Sequence, residues 1–234
     1  MIESPVIAMF ITLILCFLWM RFVNLLSRKN ILSSSVSRKI VHIGTGPLFL
    51  LCWMLFPDKP SSRFLAALVP LLIVVQISLI ASGLLKDESS VKAMARSGNK
   101  KELIKGPLFY GLMFVVITIL FWKTPNAIIS LIILCVGDGV ADLVGSRAAS
   151  KNLFWSKNKT YIGSLSMFLG SAIFSILFCE LFILLKIVPG GILQLIIPIV
   201  VTSGIATLVE SITPSDFDNL TVPIASLIIL SVLI

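Results

Sequence analysis

The feature that most constrains this chain is a succession of apolar runs separated by short polar loops. Most of the runs hold about 20 residues, the length at which a helix crosses the hydrocarbon core of a bilayer. The runs cover residues 5–26, 39–56, 64–85, 103–122, 126–145, 161–185, 192–211 and 220–234. The last run would form a helix of about 22 Å, so it spans poorly or begins earlier. The sequence predicts an all-α, polytopic membrane protein with about seven or eight transmembrane helices.

The composition agrees with lipid as the solvent for much of the surface. Of the 234 residues, 57% are hydrophobic and 13% are charged, whereas a soluble domain carries roughly 25% charged residues. No loop is long enough to hold a soluble domain. The first run is too long for a signal peptide and lacks a basic leader, so we expect a retained helix. We expect one transmembrane domain over residues 1–234.

The basic residues are distributed unevenly between the two sides of the membrane. Fifteen of the 19 lysines and arginines lie in or beside the loops after the first, third and fifth runs, and the loop after the seventh run, on the same side, holds none. The other side holds Lys59, Arg63, Lys123 and Lys186. Short cytoplasmic loops are enriched in basic residues, so the N-terminus is expected outside and these four loops in the cytoplasm. Topology explains most of the net charge of +8, and we expect no nucleic-acid partner.

The loop over residues 87–105 is open to two interpretations. Val91, Met94 and Ala95 would share one face of a helix, with Lys92 and Arg96 beside them. A short helix lying on the lipid headgroups has this pattern. A solvated loop without regular structure is the alternative.

Two acids stand at the cytoplasmic end of the fifth run. Asp138 and Asp142 are four residues apart, so their carboxylates would share one helical face. Like charges beside lipid need a cation between them, and Mg²⁺ is bound by one or two carboxylates together with phosphate oxygens. The flanking Gly137 and Gly139 would let phosphates approach closely. The alternative is a structural pair neutralised by Arg147 or a lysine.

Further charged residues are expected on the same side of the membrane. Arg147, Lys151, Lys157 and Lys159 follow the acidic pair and could hold a polyphosphate, although anchoring of the topology alone would explain some of them. Glu210 ends the seventh run, where it could be a third carboxylate for the metal. An acid at the C-terminal end of a helix faces the wrong end of the dipole and needs a partner.

The single histidine, His42, lies on the same predicted side, shortly after Arg38 and Lys39. Lone histidines are often structural, but these basic neighbours favour a place in the site. Lys105 adds a further cation on this side. A Walker-type phosphate loop, a protein-kinase signature, a zinc-protease motif and a nucleophile elbow are all absent from the sequence. Carboxylates and cations at a membrane surface favour chemistry on a phosphorylated, metal-bound substrate.

Five sequence blocks in order resemble the polyprenol kinase family, which includes phytol, farnesol and dolichol kinases. The blocks are Arg38-Lys39-Ile40-Val41-His42, Lys101-Glu102-Leu103 with residues 105–110, Gly137-Asp138-Gly139-Val140-Ala141-Asp142 with Gly145 and Arg147, residues 158–164, and Val209-Glu210-Ser211 with residues 218–223. They span residues 38–223, most of the chain. The resemblance implies a single kinase domain that transfers a phosphoryl group, usually from CTP with Mg²⁺, to a long-chain isoprenoid alcohol.

Carried onto this sequence, the resemblance implies roles for individual residues. Asp138, Asp142 and Glu210 would hold Mg²⁺, Lys159 would neutralise developing charge, and His42 or Asp142 would accept the alcohol proton. The residues expected to bind the nucleotide are Arg38, Lys39, Lys105, Gly137, Gly139, Arg147, Asp218 and Asn219. Phytol is the first choice of alcohol.

The sequence departs from the family pattern at Ser146, Thr160 and Phe217. These departures leave the identity of the nucleotide and of the alcohol undecided. Two other functions also remain open. A looser resemblance to phosphatidate cytidylyltransferases would make the product a CDP-lipid. A transporter is the non-enzymatic alternative, but it would place its charges near the bilayer midplane rather than at one edge.

Overall fold

A computed structural model of the chain describes residues 2–87, 91 and 99–234. Within these residues the secondary structure is helical, apart from one isolated bridge between Asn152 and Thr160. The α-helices are α1 (Pro5–Arg28), α2 (Ser34–Cys52), α3 (Ser62–Ser82), α4 (Gly106–Leu120), α5 (Pro125–Ile132), α6 (Asp138–Gly145), α7 (Tyr161–Leu184), α8 (Ile192–Ile212) and α9 (Asp218–Leu233). The all-α prediction is confirmed.

Six helical stretches of the described residues are long and apolar enough to cross a membrane: Pro5–Arg28, Ser62–Ser82, Lys100–Leu120, Pro125–Gly145, Tyr161–Leu184 and Ile192–Ile212. α9 is apolar but has 16 residues, and it begins two residues before the predicted run. α2 begins at Ser34 and therefore includes the polar residues before the predicted run, among them Arg38. Large apolar side chains such as Phe10 and Leu193 are 53% and 81% exposed, as expected of helices that face lipid.

Local signals set several helix ends. The Ser4 and Thr124 side chains accept hydrogen bonds from the backbone N–H groups of Ile7 and Ala127, and a proline follows each cap. These N-caps satisfy donors that lack a partner within the helix. α3 ends at Gly83, whose φ of 85° is readily adopted only by glycine.

The first compact unit, Met1–Leu120, contains α1 to α4. α3 packs along α4, and α1 packs against both α2 and α3. Phe49, Trp53 and Phe114 form edge-to-face ring contacts in its core. Val91 packs against the apolar cluster around Leu103. The predicted interfacial helix lies mostly outside the described residues.

The second unit, Phe121–Ile234, contains α5 to α9. α5 continues through a π-helical turn, Ile133–Gly137, into α6. Residues 127–137 are buried, and this stretch packs against both α7 and α9. A π-helical turn inserted in an α-helix is often found at functional sites. Here the turn ends at Gly137, directly before Asp138, which is the first residue of α6. That the chain acts as one kinase domain stays a prediction.

Candidate functional site

Three carboxylates from three helices meet in the second unit. Asp138 begins α6, Glu210 lies in the last turn of α8 and Asp218 begins α9. One oxygen atom from each lies within 4.8 Å of the other two. Glu210 is 3% exposed and Asp218 is 4% exposed. We call these three residues the carboxylate cluster. So many like charges with little access to water require a cation nearby.

Lys159 supplies positive charge to the carboxylate cluster. Its ammonium donates a hydrogen bond to Glu210 Oε1, and Nζ lies 3.7 Å from Asp218 Oδ2. Burial by itself lowers the pKa of Lys159, but attraction to Glu210, the hydrogen bond with it, and the charges of Asp138 and Asp218 raise the pKa above its ordinary value. Lys159 therefore stays charged at neutral pH.

A folded hairpin before α7 positions Lys159. The Leu153 N–H donates to the Lys159 carbonyl oxygen at 2.9 Å, and Asn152 Nδ2 donates to the Lys157 carbonyl oxygen at 2.7 Å. Trp155 Nε1 donates to Ser211 Oγ at 3.1 Å. The hairpin is thus fixed to the residue that follows Glu210, so the backbone of Lys159 is held beside the carboxylate cluster.

Small residues bring α6 and α7 close together at this end of the unit. A Cβ atom at Gly163 would lie 3.0 Å from Thr160 Oγ1, and 3.3 Å from both the Ala141 carbonyl oxygen and Gly145 Cα. Thr160 is also the N-cap of α7, because its hydroxyl accepts a hydrogen bond from the Gly163 N–H at 3.1 Å. The close approach holds Asp138, on α6, at a fixed distance from the residue preceding the cap, Lys159.

The structure gives Gly137 a packing role. A Cβ atom there would overlap the hydroxyl of Ser171 on α7. Gly139, like Gly137, is buried. The expectation that these two glycines make room for phosphates stays a prediction.

Asp142 and Arg147 are exposed. Asp142 lies one turn after Asp138 and is not a member of the carboxylate cluster. Arg147 donates from a terminal guanidinium nitrogen to the Leu143 carbonyl oxygen at 2.8 Å, and this bond closes the end of α6. The structure therefore brings Asp218, rather than Asp142, to Asp138 and Glu210. The nucleotide and metal roles expected of Asp142 and Arg147 stay predictions.

The remaining predicted residues belong to the first unit. Arg38, Lys39 and His42 lie on α2, and Lys105 directly precedes α4. Lys39 is 7% exposed, whereas Lys105 is exposed. The His42 ring contacts the Tyr110 ring in a tilted arrangement with centroids 4.2 Å apart, and the Tyr110 hydroxyl donates to the His42 carbonyl oxygen at 3.1 Å. α4 therefore fixes the position of His42.

The sequence does not reveal three contacts that contribute to this geometry. Tyr110 lies in one of the sequence blocks, but its ring contact with His42 depends on the packing of α2 and α4. Trp155 and Ser211 are 56 residues apart in sequence, and only the folded hairpin brings them together. Asn219 lies beside Asp218 and donates its backbone N–H to Asp218 Oδ1 at 2.9 Å. This bond fixes the side chain of Asp218 at the start of α9.

The fold and the site define a multi-pass, all-helical membrane protein with a lysine-bridged carboxylate site at its helix ends. Comparison with known proteins identifies its relatives. A Triticum aestivum protein named probable phytol kinase, chloroplastic, is 35% identical over 212 residues, which cover 89% of this chain and 71% of the relative. The probable phytol kinase 2, chloroplastic, of Oryza sativa subsp. japonica is 38% identical over 213 residues, 90% of this chain and 70% of the relative.

The farnesol kinase, chloroplastic, of Arabidopsis thaliana is 36% identical over 228 residues, 95% of this chain and 73% of the relative. The sequence matches no protein-family model, and no solved structure matches it. Identity at this level over most of both chains establishes membership. The chain belongs to the polyprenol kinase family, and the resemblance seen in the five sequence blocks is confirmed.

Proposed function

We propose that this protein transfers the γ-phosphoryl group of CTP, or of another nucleoside triphosphate, to a long-chain isoprenoid alcohol, with phytol as the first choice. The alcohol oxygen forms a bond to the γ-phosphorus, the bond to the bridging oxygen breaks, and a nucleoside diphosphate leaves. Relatives named phytol kinase and farnesol kinase support the acceptor class. The observation that carries the proposal for this chain is the carboxylate cluster with Lys159 bound to it.

The donor set of the carboxylate cluster fits Mg²⁺. Mg²⁺ takes oxygen ligands at about 2.1 Å in an octahedron, which places neighbouring ligand oxygens about 3 Å apart and opposite ones about 4 Å apart. The cluster oxygens lie within 4.8 Å of one another, so small side-chain rotations would bring them to these separations. Asp138, Glu210 and Asp218 would hold the ion, and Asp142 on the same helix could join through water. Bound there, Mg²⁺ would neutralise charge on the nucleotide phosphates.

The chain's own residues would complete the site around the phosphates. Lys159 carries a fixed positive charge beside the carboxylate cluster and would stabilise charge on the transferring group. Arg147 is exposed and would bind phosphate oxygens from the aqueous side. Asp142, exposed one turn from Asp138, is the candidate in this unit to accept the alcohol proton. The roles expected of Lys105 and His42, which belong to the first unit, stay predictions. A loose transition state for phosphoryl transfer needs little help from a base.

The membrane arrangement matches a substrate with a lipid tail and a polar end. Glu210 and Asp218 flank the turn between α8 and α9, and Asp138 lies about two helical turns before the end of the continuous stretch Pro125–Gly145. The loop that follows this stretch carries Arg147, Lys151, Lys157 and Lys159. We propose that this side faces the cytoplasm, from which CTP enters, with the N-terminus outside. The isoprenoid tail would lie among the helices, with its hydroxyl at the boundary.

The experiment uses purified protein with phytol, farnesol and undecaprenol, each tested with CTP, ATP, UTP and GTP. CTP labelled at the γ-phosphate should label the lipid, and CTP labelled at the α-phosphate should not. Transfer of the α-label would instead show a cytidylyltransferase. Asp138→Asn should lower the rate by about 10²-fold or more, the usual effect of removing a main electrostatic contribution. Normal rates in this variant would overturn the site assignment.

A further inference from the structure

The carboxylate cluster and Lys159 form an arrangement that the proposed reaction does not by itself require. The ammonium of Lys159 contacts the same residues that would ligate a metal: it bonds Glu210 Oε1 and lies 3.7 Å from Asp218 Oδ2. We infer that Lys159 is a resident cation that a divalent ion displaces from the carboxylate cluster, and that the displaced ammonium is then available to phosphate. This inference rests on the proposed function.

Electrostatics and space make the two cations alternatives. The cluster oxygens lie within 4.8 Å of one another, so an ion bound to all three would lie within a few ångströms of an ammonium still bonded to Glu210. Two cations at that separation repel strongly in a poorly hydrated site. The carboxylate of Glu210 is almost fully buried, and a bound cation offsets the cost of burying its charge. Lys159 and a metal ion would therefore compete for the same carboxylate oxygens.

The exchange requires movement of one side chain only. The hairpin that carries Lys159 is fixed by the backbone hydrogen bond between Leu153 and Lys159 and by the side-chain hydrogen bond between Trp155 and Ser211. The lysine stem has four carbons and rotates readily, whereas a guanidinium would bind a carboxylate in a rigid fork. The side chain of Lys159 is 17% exposed, so it has an open side toward which it can turn. A lysine is therefore better suited than an arginine to move away from the carboxylate cluster.

The test measures binding of Mn²⁺, as a probe for Mg²⁺, to the full chain in nucleotide-free detergent solution, with free Mn²⁺ followed by electron paramagnetic resonance. Lys159→Met should raise the affinity for Mn²⁺ by at least about fivefold, the lower range of coupling between two binding events. Lys157→Met removes one positive charge from the same hairpin and should change the affinity by less than about twofold, because Lys157 is exposed and its charge is screened. Lys159→Arg should bind Mn²⁺ no more tightly than the unmodified chain.

A second measurement observes the response to Mg²⁺ in the unmodified sequence and uses a conservative variant only to assign one resonance. Lysines carrying ¹³C-dimethyl groups keep their charge, and the Lys159 resonance can be assigned through Lys159→Arg. Addition of Mg²⁺ should shift the Lys159 resonance and leave that of Lys157 in place. An unmoved Lys159 resonance at saturating Mg²⁺, or Mn²⁺ affinity in Lys159→Met at or below that of the unmodified chain, would overturn the inference.

The outcomes separate this inference from the proposed function. A protein that phosphorylates no isoprenoid alcohol with any nucleotide would refute the proposed function, yet the Mn²⁺ titrations would still report on the exchange. A working kinase whose Lys159 stays bound to Glu210 when Mg²⁺ is added would refute the exchange alone.

Discussion

The two units hold predicted site residues of opposite chemistry. In Phe121–Ile234, three acids from three helices meet beside the ammonium of Lys159. In Met1–Leu120, the predicted residues Arg38, Lys39 and Lys105 are basic, and an aromatic contact holds His42. Carboxylates are the usual ligands of a divalent cation, whereas basic side chains bind anions.

The largest expected effect comes from a substitution in the carboxylate cluster. Glu210→Gln removes the negative charge that Lys159 contacts most closely, and with it one proposed anionic metal ligand. We expect the rate of alcohol phosphorylation to fall by about 10²-fold or more, measured by transfer of label from γ-labelled CTP. Glu180→Gln, which alters an acid in α7 outside the carboxylate cluster, should stay within about twofold because long-range charge effects are screened. Equal losses in both variants would contradict the special position of Glu210.

The next largest effect is expected from a substitution that tests whether the packing of α6 on α7 holds the carboxylate cluster together. Gly163→Ala would force α6 away from α7, because the new Cβ meets Ala141 and Gly145 at 3.3 Å. Overpacking of this kind should lower the free energy of unfolding by about 1–3 kcal/mol, seen as a lower thermal midpoint in detergent, and should also lower activity. Gly170→Ala is the matched control, since its nearest neighbours are Val140 atoms at 3.7 Å or more. A larger loss in the control would contradict the packing account.

A smaller effect distinguishes packing from phosphate access at Gly137. Gly137→Ala should destabilise the protein by about 1 kcal/mol or more through overlap with the Ser171 hydroxyl. The double variant with Ser171→Ala removes that hydroxyl and should recover much of the thermal midpoint. If activity returns with stability, Gly137 serves packing alone. Recovery of stability without activity would show that the glycine also makes room for the nucleotide.

The smallest effect is expected in the first unit, at the contact between Tyr110 and His42. Tyr110→Phe keeps the ring contact with His42 but removes the hydroxyl that donates to the His42 carbonyl oxygen. The free energy of unfolding should fall by about 1 kcal/mol, the usual net contribution of such a hydrogen bond. Thermal denaturation in detergent measures it. An activity loss as large as that of Glu210→Gln, at unchanged stability, would instead place the Tyr110 hydroxyl itself in the reaction.

The helices were largely predictable because the period and length of apolar runs follow from the bilayer. Most predicted runs agree with the helices to within a few residues. The π-helical turn at Ile133–Gly137 was not predicted, because hydropathy gives the extent of an apolar helix and not the hydrogen-bond pattern within it. α2 begins at Ser34, before the predicted run, because the Ser33 side chain accepts a hydrogen bond from the Val36 N–H and so caps a polar first turn that hydropathy ignores.

The types of residue in the site were predictable from the sequence, but which of the acids lie together was less so. Spacing alone put Asp138 and Asp142 together, because residues four apart share a helical face. The structure turns Asp138 toward Glu210 and Asp218, and Asp142 outward. The decisive element is the turn over residues 213–217, which reverses the chain between α8 and α9. Its geometry depends on tertiary packing, so Asp218 could be expected near a nucleotide but not among the carboxylates.

The measurement that tests the central claim most directly is a change of metal preference. Asp138→Cys replaces a hard oxygen ligand with a soft thiolate, which favours Cd²⁺ over Mg²⁺. We expect the variant to lose about 10²-fold or more of its Mg²⁺-supported phosphorylation rate and to regain a substantial part with Cd²⁺, while the unmodified chain gains nothing from Cd²⁺. A variant that keeps its Mg²⁺-supported rate, or that responds to Cd²⁺ no differently from the unmodified chain, would contradict a metal bound at the carboxylate cluster.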